Sequence, residues 1–447
     1  MRQPDKTVLR GGTSLPRPFA SGPPPLQHQL REREAPARAA GTGTPKRGRP
    51  RSRALLVGAG LCAGVGACLA LLRGGGGPDN DILSATDFRA FAIVAREAVS
   101  PSAFELAVRA DGPGAGSGPS PALARARAHG LWSVEVKQPQ LQIARHYTPL
   151  PSPRRCGDDG DDGDDDDDDD NGRTLRFLVR RVAGGEVSTY LSKLRVGDRV
   201  WLRGPHLGFD VGRRRGGAGN VVFLAGGTGI APALQIAARL LDGGSEQGGP
   251  PDVSVSILWA NRYAADALGR PQARGGASSL PRWWWSLGRS QVPEIAEAAG
   301  ADSVLAHQIR GLQRRHPDHF HIAYFVDDEG TAIGARDVRL ACDSGASPVQ
   351  LPPANPSCPW HSPAALEQLP DDKDAGRHRE GCVCRGPGVG ADLLCVSGPD
   401  GFVAAYGGPK VWRDGAETQG PVRGMLGQIL AEEEEKGNMR NWLVLKL

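Results

Sequence analysis

Residues 145–150 combine side chains that could hold a flat ligand bearing phosphates. They follow the alternating run 132–136, which predicts a strand of an antiparallel sheet. The guanidinium of Arg145 can hold a diphosphate through two parallel, charge-assisted hydrogen bonds. Tyr147 is on the same strand face, where its ring could lie along an isoalloxazine, and Thr148 brings a hydroxyl to the edge of that ring. The segment favours a flavin site, although an edge strand with a surface arginine and a half-buried tyrosine fits it about as well.

A second phosphate-binding pattern comes after the strand-like run 175–179. Gly184 and Gly185 allow backbone N–H groups to approach a diphosphate closely. Ser188, directly after Val187, can add a hydroxyl donor where a short helix begins. This pattern makes a nucleotide ligand more plausible than it is from residues 145–150 alone.

A glycine-rich loop, residues 226–232, follows the short buried strand 221–225. A helix is expected after it, since apolar residues recur at helical spacing and Pro232 suits a first helical turn. Further along, a strand over 392–397 ends in Ser-Gly-Pro. The chain thus carries four motifs in a fixed order: Arg-x-Tyr-Thr, Gly-x-x-Ser, Gly-Gly-Thr-Gly-Ile-x-Pro and Gly-Pro.

This ordered set resembles the ferredoxin–NADP reductase superfamily, and within it the FAD module of the NADH–cytochrome b5 reductase type. The resemblance implies a six-stranded antiparallel β-barrel carrying FAD, followed by a five-stranded parallel, Rossmann-like α/β domain for NAD(P)H. It implies that Arg145 and Ser188 contact the FAD diphosphate, that Tyr147 packs on the flavin, and that Thr148 bonds near N5, the atom that accepts hydride. The other cofactor-binding positions that it implies are Gly185, Val187, Gly226, Gly227, Thr228, Gly229, Pro232, Gly398 and Pro399.

One position departs from that pattern. Many b5-type reductases have Cys-Gly-Pro at the nicotinamide end of the last sheet strand, whereas this chain has Ser397 before Gly398 and Pro399. The resemblance makes Ser397 a catalytic position together with Tyr147 and Thr148, and we expect slower or altered reactivity with the nicotinamide rather than none. Cys395 should lie deeper on the same strand face and is a poor substitute.

Three shorter stretches, residues 137–145, 408–412 and 419–421, look like the fungal mitochondrial cytochrome c import factor family. That resemblance implies an FAD protein of the mitochondrial inner membrane that faces the intermembrane space and is associated with haem attachment to cytochrome c. It also implies a haem protein, either cytochrome c or its haem-attaching enzyme, as the electron acceptor.

Charge and hydropathy divide the 447 residues into segments. Residues 1–53 are basic and rich in Pro and Gly, which predicts a disordered targeting region, although a basic cytosolic tail is an alternative. Residues 54–72 carry no charge and, at 1.5 Å per residue, would span about 28 Å as a helix, so we expect a single-pass membrane anchor. Basic residues crowd its N-terminal flank, which would place the flavin module across the membrane from the N-terminus. We expect the FAD-binding barrel over 81–215 and the NAD(P)-binding domain over 216–447.

The predicted domains carry insertions. Residues 157–171 are almost entirely Asp and Gly, and a solvated loop is the simplest interpretation. A more specific hypothesis is that the negative charges attract a basic haem protein over long range. Two further insertions are expected near 263–292 and 342–390, and we assign no function to the second.

The cysteines form no recognisable framework, and neither a metal site nor a nucleic-acid partner is expected. No Cys-x-x-Cys-His motif is present, so any haem involved belongs to a partner. Two alternatives to an electron donor for cytochrome c assembly stay open. One is an NADH–cytochrome b5 reductase at another membrane, and the other is a flavin-binding assembly factor with little turnover.

Overall fold

The computed structural model describes residues 81–111, 120–152, 173–217, 219–243, 251–270, 303–344, 358–367, 390–437, 439 and 441–447. The basic region 1–53, the apolar segment 54–72, the acidic tract 157–171 and most of both later insertions lie outside these residues. Within the described ranges, no helix is both long and apolar enough to cross a bilayer.

The first sheet has six strands, paired antiparallel in the order β4-β3-β6-β1-β2-β5. Its strands are β1 (Arg89–Ala98), β2 (Ala103–Ala110), β3 (Trp132–Gln138), β4 (Ile143–Tyr147), β5 (Thr174–Arg180) and β6 (Arg199–Leu207). Alternate residues of these strands point into one apolar core, as β3 illustrates with buried Trp132, Val134 and Val136. The predicted six-stranded antiparallel sheet is confirmed.

The two edge strands of this sheet come together beyond the end of β4. Leu150 donates its backbone N–H to the carbonyl of Arg176 in β5 over 2.7 Å. The bond brings the chain that leaves β4 onto the opposite edge of the sheet, so the sheet curls around its core. Helices α1 (Pro121–His129) and α2 (Glu186–Lys193) contribute Leu123, Val187 and Leu191 to that core.

Our sequence-based expectation for Gly204-Pro205 is wrong. We expect a strand that stops there, but β6 continues through both residues to Leu207. The pairing of β6 with β3 shifts register between Ser133 and Glu135, opposite this point. A local irregularity of this kind accommodates a residue that lacks a backbone N–H within a central strand.

The second sheet has five parallel strands in the order β13-β10-β7-β8-β9. They are β7 (Asn220–Gly226), β8 (Ser254–Asn261), β9 (Phe320–Val326), β10 (Asp392–Ser397) and β13 (Trp442–Lys446). All seven residues of β7 are buried, as expected of a central parallel strand covered on both faces. The predicted parallel α/β sheet is therefore confirmed.

Helices and a small hairpin complete the part of the chain that the structure describes. They are α3 (Val211–Arg215), α4 (Ile230–Ala237), α5 (Val304–Arg315), α6 (Ala335–Ser344), α7 (Pro363–Leu366), α8 (Asp400–Gly407), α9 (Gly424–Glu435), and strands β11 (Val411–Arg413) and β12 (Ala416–Thr418). Helix α4 begins at Ile230, directly after the last glycine of the glycine-rich loop, and α8 begins directly after the Ser-Gly-Pro turn that ends β10. Both predicted loops therefore lie at the carboxyl edge of the sheet, where ligands of open α/β sheets bind.

Polar contacts join the two sheets at several points. The buried carboxylate of Glu105 in β2 accepts hydrogen bonds from Val304 N (3.1 Å) and Leu305 N (2.9 Å) at the start of α5. Burial raises the pKa of Glu105, although these two backbone N–H groups favour its charged form. Asp266, which follows β8, accepts hydrogen bonds from the hydroxyls of Ser100 and Ser102 in the β1–β2 turn.

Candidate functional site

The strand predicted to face the flavin is an edge strand with one half-buried and one exposed functional side chain. Tyr147 in β4 is paired with Val134, and Arg145 with Val136, so both face the same side as two core residues of β3. The Tyr147 ring packs against the core of the first sheet, and this burial raises the pKa of its hydroxyl to about 12. Arg145 is exposed. Its guanidinium donates from Nη1 to the carbonyl of Ala144 over 3.0 Å. A packed ring beside an exposed guanidinium is compatible with the roles implied for these two residues.

The β3–β4 ladder ends at Tyr147, two residues before Pro149, which has no backbone N–H to continue it. β4 stops at Tyr147, and Thr148 follows as a half-buried residue outside the strand. Pro149 and Leu150 are buried. The Thr148 hydroxyl therefore stands at the edge of the sheet, one residue beyond the ring of Tyr147.

An open cavity of about 600 Å³ lies between the β3–β4 turn and the segment that leads into α2. Gln140 and Leu141 line it on one side, and Gly184, Tyr190 and Lys193 line it on the other. This volume falls in the range of sites that hold cofactors, about 300–1,000 Å³. The cavity therefore lies directly beside the two-glycine loop predicted to approach a diphosphate.

The start of α2 offers backbone donors rather than the predicted hydroxyl. The N-cap of the helix is Gly185, which provides no side-chain cap, so first-turn N–H groups are left for a ligand or water. The Ser188 hydroxyl instead closes the loop itself, since it accepts from Val182 N and donates to the carbonyl of Gly185, both over 3.2 Å. Val187 is buried in the core of the first sheet. Glu186 is exposed on the cavity, where its charge opposes an anion and Lys193 favours one.

The glycine-rich loop and the end of β10 are in close contact. A Cβ atom on Gly226 would lie 2.8 Å from the Phe402 ring, and one on Gly398 would lie 3.1 Å from Gly226 Cα. Gly398 has a φ of +154°, a conformation that side-chain-bearing residues rarely adopt. Ser397 is 7% exposed at this junction, so the loop and the strand end form one compact corner.

The other predicted residues of this corner have mainly backbone roles. Thr228 is half-buried within the loop, Pro232 is buried in the first turn of α4, and Pro399 is the N-cap of α8. The indole N–H of Trp259 in β8 donates to the carbonyl of Gly227 over 2.8 Å, which ties the loop to the neighbouring strand. Cys395 is fully buried, which raises the pKa of its thiol to about 12, so it is the inert, deep residue that we expect.

Arg180 is a site residue that the sequence did not reveal. It ends β5, only four residues before Gly184, and its Nη1 atom would lie 3.3 Å from a Cβ atom on Gly227. Its Nη2 atom forms an ion pair with Asp266 over 3.4 Å. Arg180 thus contacts the glycine-rich loop while it is close in sequence to the two-glycine loop, and its charge is paired with the Asp266 carboxylate. In the sequence its position next to Arg181 resembles an ordinary surface pair.

Comparison with known proteins agrees with this geometry. The family described as "Oxidoreductase FAD-binding domain" matches residues 165–210, which contain the two-glycine loop and α2. The NADH-cytochrome b5 reductase 1 of Aspergillus oryzae is 28% identical over 201 residues, which cover 44% of this chain and 59% of the relative. The chain carries an oxidoreductase FAD-binding domain and is homologous to NADH–cytochrome b5 reductases. The predicted resemblance to the FAD module of NADH–cytochrome b5 reductases is confirmed, and it is consistent with the ferredoxin–NADP reductase superfamily.

A second similarity concerns a smaller part of the chain. The cytochrome c mitochondrial import factor CYC2 of Saccharomyces cerevisiae is 35% identical over 80 residues, which cover 18% of this chain and 22% of that protein. Among solved structures, the CS-b5R domains of human Ncb5or in the NAD+ form align over 80% of this chain and 69% of theirs, with 14% identity and a TM-score of 0.38. The chain spans between 22% and 59% of the length of the first three curated relatives.

The described residues show no cluster of three or more His, Cys, Asp or Glu side chains arranged to hold a metal ion. The lining of the cavity consists instead of the two-glycine backbone, the Lys193 ammonium, the Tyr190 ring and the polar side chains of Gln138, Gln140, Glu186 and Thr189. Arg145, Tyr147 and Thr148 are not part of this lining; Arg145 and Tyr147 lie on the edge strand β4 and Thr148 directly follows it. These groups suit a nucleotide with a planar ring system, and the residues present fit FAD.

Proposed function

We propose that this protein is an FAD-dependent oxidoreductase that takes electrons from NADH and passes them to a haem protein. The observation that carries the proposal is the cavity beside Gly184 and Gly185, within the domain matched by the FAD-binding family. Helix α2, which lines the cavity, packs against β4, the strand that bears Arg145 and Tyr147, although neither residue lines the cavity itself. Homology to NADH-cytochrome b5 reductases supports NADH as the co-substrate.

The flavin side of the site is held by residues of the first sheet. Arg145 and the first-turn N–H groups of α2 would bind the FAD diphosphate through charge-assisted hydrogen bonds. Tyr147, already packed against the core, would orient the ring system, and Thr148 would offer its hydroxyl to the edge of that ring. When FAD is bound, the chemistry supplied is acceptance of a hydride from reduced nicotinamide and release of single electrons.

The nicotinamide side is held by the carboxyl edge of the second sheet. The loop 226–232 would border the nucleotide, and Ser397 with Gly398 and Pro399 would shape the space for the nicotinamide ring. Arg180, between the two halves, would contact a phosphate of either nucleotide. The roles of these residues are to position the two rings and to exclude water between them.

The acceptor and the location are the finer part of the proposal. Similarity to the import factor CYC2 supports a mitochondrial location and a role in cytochrome c import or haem attachment. We propose that residues 1–53 act as the targeting region and 54–72 as an inner-membrane anchor. The FAD-binding domain over 81–215 and the nucleotide domain over 216–447 would then face the intermembrane space.

A second function is favoured by one observation. Ser397 stands where many b5-type reductases have cysteine, so the protein could hold flavin as a structural ligand and act as an assembly factor for cytochrome c with little turnover. An NADH–cytochrome b5 reductase at another membrane is the third reading, and the names of several relatives support it.

The deciding experiment is anaerobic stopped-flow on the full chain, purified in mild detergent, with flavin absorbance followed after mixing with NADH or NADPH. The proposal expects a yellow protein whose flavin is bleached by NADH within the time of turnover. A protein that binds flavin but is bleached by neither nucleotide supports the assembly factor instead. A colourless protein that does not take up added FAD contradicts both.

A further inference from the structure

One buried amide connects the flavin-facing strands to the glycine-rich loop. Gln235 lies on α4, five residues after Ile230, where the helix begins directly behind the loop. It is 5% exposed, and its side chain leaves the helix toward the first sheet. At 1.5 Å per residue, about 7.5 Å of rigid helix separates this amide from the loop.

Both groups of the Gln235 amide are used, and they bind two different strands. Its Oε1 atom accepts a hydrogen bond from Trp132 N over 3.1 Å, and its Nε2 atom donates to the carbonyl of Pro149 over 2.8 Å. Trp132 begins β3, and Pro149 comes two residues after Tyr147, the last residue of β4.

The position of these bonds on the two strands is informative. The outermost pair of the β3–β4 ladder is Val134 with Tyr147. The same register, continued by two residues, would set Trp132 opposite Pro149. Beyond that last pair, the Gln235 amide therefore bridges the two strands, with one hydrogen bond to each, next to Thr148. A shift of this amide would move the end of the strand that bears the flavin-facing ring.

We propose that Gln235 is a positioning residue that fixes the strand bearing Tyr147 and Thr148 relative to the glycine-rich loop. This inference rests on the proposed function, since it concerns the distance between the hydride donor and the flavin. Hydride transfer depends steeply on that distance, because a misplacement of about 1 Å can cost about 100-fold in rate. A buried amide bound on both sides is a stiff connection, since losing either bond leaves a desolvated polar group unpaired.

The chain contains a matched control for such a change. Gln419 is 4% exposed, accepts from Lys446 N over 2.7 Å and donates to the carbonyl of Lys446 over 2.9 Å. It binds the outermost strand of the second sheet, β13, rather than the flavin-facing strands. Gln419→Leu should therefore lower the melting temperature as Gln235→Leu does, without moving the ring of Tyr147.

The experiment compares wild type, Gln235→Leu and Gln419→Leu as full-length holoproteins by anaerobic stopped-flow with NADH and by visible circular dichroism of the flavin. We expect Gln235→Leu to keep its flavin, to change the dichroism, and to lose about 10- to 100-fold of the reduction rate at saturating NADH. Gln419→Leu should keep the wild-type dichroism and a rate within about twofold of wild type. A wild-type rate in Gln235→Leu, or an equal loss in Gln419→Leu, overturns the inference.

Gln235→Glu keeps the test decisive if the leucine variant does not fold. Its carboxylate can still accept from Trp132 N but cannot donate to the carbonyl of Pro149 until it is protonated. We expect its reduction rate to rise, relative to wild type, as the pH is lowered, and a pH profile identical to that of wild type overturns the inference. If the wild-type flavin itself is not reduced by NADH, the proposed function fails first and the positioning role fails with it.

Discussion

A Cβ atom on Gly229 would lie 2.3 Å from the carbonyl oxygen of Ser397. Gly229 has a φ of −61°, which any residue adopts, so glycine is required here by close approach and not by backbone freedom. The contact joins the end of β10 to the first turn of α4. The close approach of the glycine-rich loop to the end of β10 therefore depends on the absence of a side chain at position 229.

Gly229→Ala should separate the loop from the strand end. We expect a loss of about 1–3 kcal/mol in the free energy of unfolding, typical of overpacking, and a slower reduction of the flavin by NADH. Gly401→Ala is the control, since a Cβ atom there meets nothing within 4 Å and α8 gains helix propensity. Thermal melts and stopped-flow rates measure both effects; wild-type values for Gly229→Ala would mean that the corner does not bind the nicotinamide as proposed.

Arg145→Ala should release most of the bound FAD. The loss of charge-assisted hydrogen bonds of about 1.5–3 kcal/mol corresponds to about 10- to 100-fold weaker binding. Flavin absorbance per protein after gel filtration measures the loss. Arg195→Ala removes an exposed positive charge after α2 and should retain the wild-type flavin content. Full flavin absorbance in Arg145→Ala would remove Arg145 from the binding site.

Ser397→Cys restores the residue that many b5-type reductases have at this position. The change keeps the size of the side chain approximately and replaces a hydroxyl with a softer thiol at the end of β10. We expect flavin reduction by NADH to become several-fold faster, with unchanged flavin content and an unchanged melting temperature. Stopped-flow with NADH checks the expectation, and Ser397→Ala shows whether the hydroxyl itself contributes. A slower Ser397→Cys protein would contradict the nicotinamide role given to this position.

The elements that carry the motifs could be predicted because their signals are local. Alternation predicts β3, and unbroken apolar runs predict β7 and β10. The predicted end of the strand at Gly204-Pro205 was wrong, because the register shift that accommodates this pair involves the neighbouring strand and has no signal in the sequence of β6.

The links between the two sheets could not be predicted, since each joins residues that are far apart in the chain. Gln235 meets Pro149 across 86 positions, and Asp266 meets Ser102 across 164. The residues around a glutamine in an apolar helix do not indicate which distant group its side chain will bind. Arg180 was missed for the same reason, because its contact is with Gly227, which directly follows a strand of the other sheet.

Asp242 provides a test of stability that is separate from the site. Its carboxylate, with 8% of the side chain exposed, accepts from Arg315 Nη2 (2.9 Å) and contacts His316 Nε2 (2.8 Å). Burial alone would raise its pKa, but these two partners outweigh burial and hold the pKa below its usual 3.8. Its stabilising contribution is therefore complete above about pH 3.8 and is lost as the pH falls through the lower, folded-state value.

Asp242→Asn should cost about 2 kcal/mol near neutral pH, because it leaves the partly buried guanidinium of Arg315 without its counter-charge. The cost should shrink as the pH falls below 3.8, where wild type loses the same interaction. Denaturant unfolding at several pH values measures this. The Asp252 carboxylate is 75% exposed beside Arg215, so Asp252→Asn should change the stability very little at any pH. A cost for Asp242→Asn that does not depend on pH would contradict the assignment.

The last prediction concerns the acidic tract 157–171 and its charge relative to the surface that the structure describes. Four exposed basic residues lie on or next to β4, β5 and α2, namely Arg145, Arg181, Lys193 and Arg195, against the exposed acidic residues Glu186 and Asp198. Such a surface repels a strongly basic acceptor of the cytochrome c kind, so a run of aspartates inserted between β4 and β5 would supply the attraction that the described surface lacks. Deletion of residues 157–171 should then slow the reduction of a basic cytochrome at low ionic strength and have little effect at high salt, where screening removes long-range attraction. The rate of flavin reduction by NADH is the internal control and should not change. An unchanged rate of cytochrome reduction at low salt would leave the tract as a solvated insertion and would favour an acceptor that is not basic.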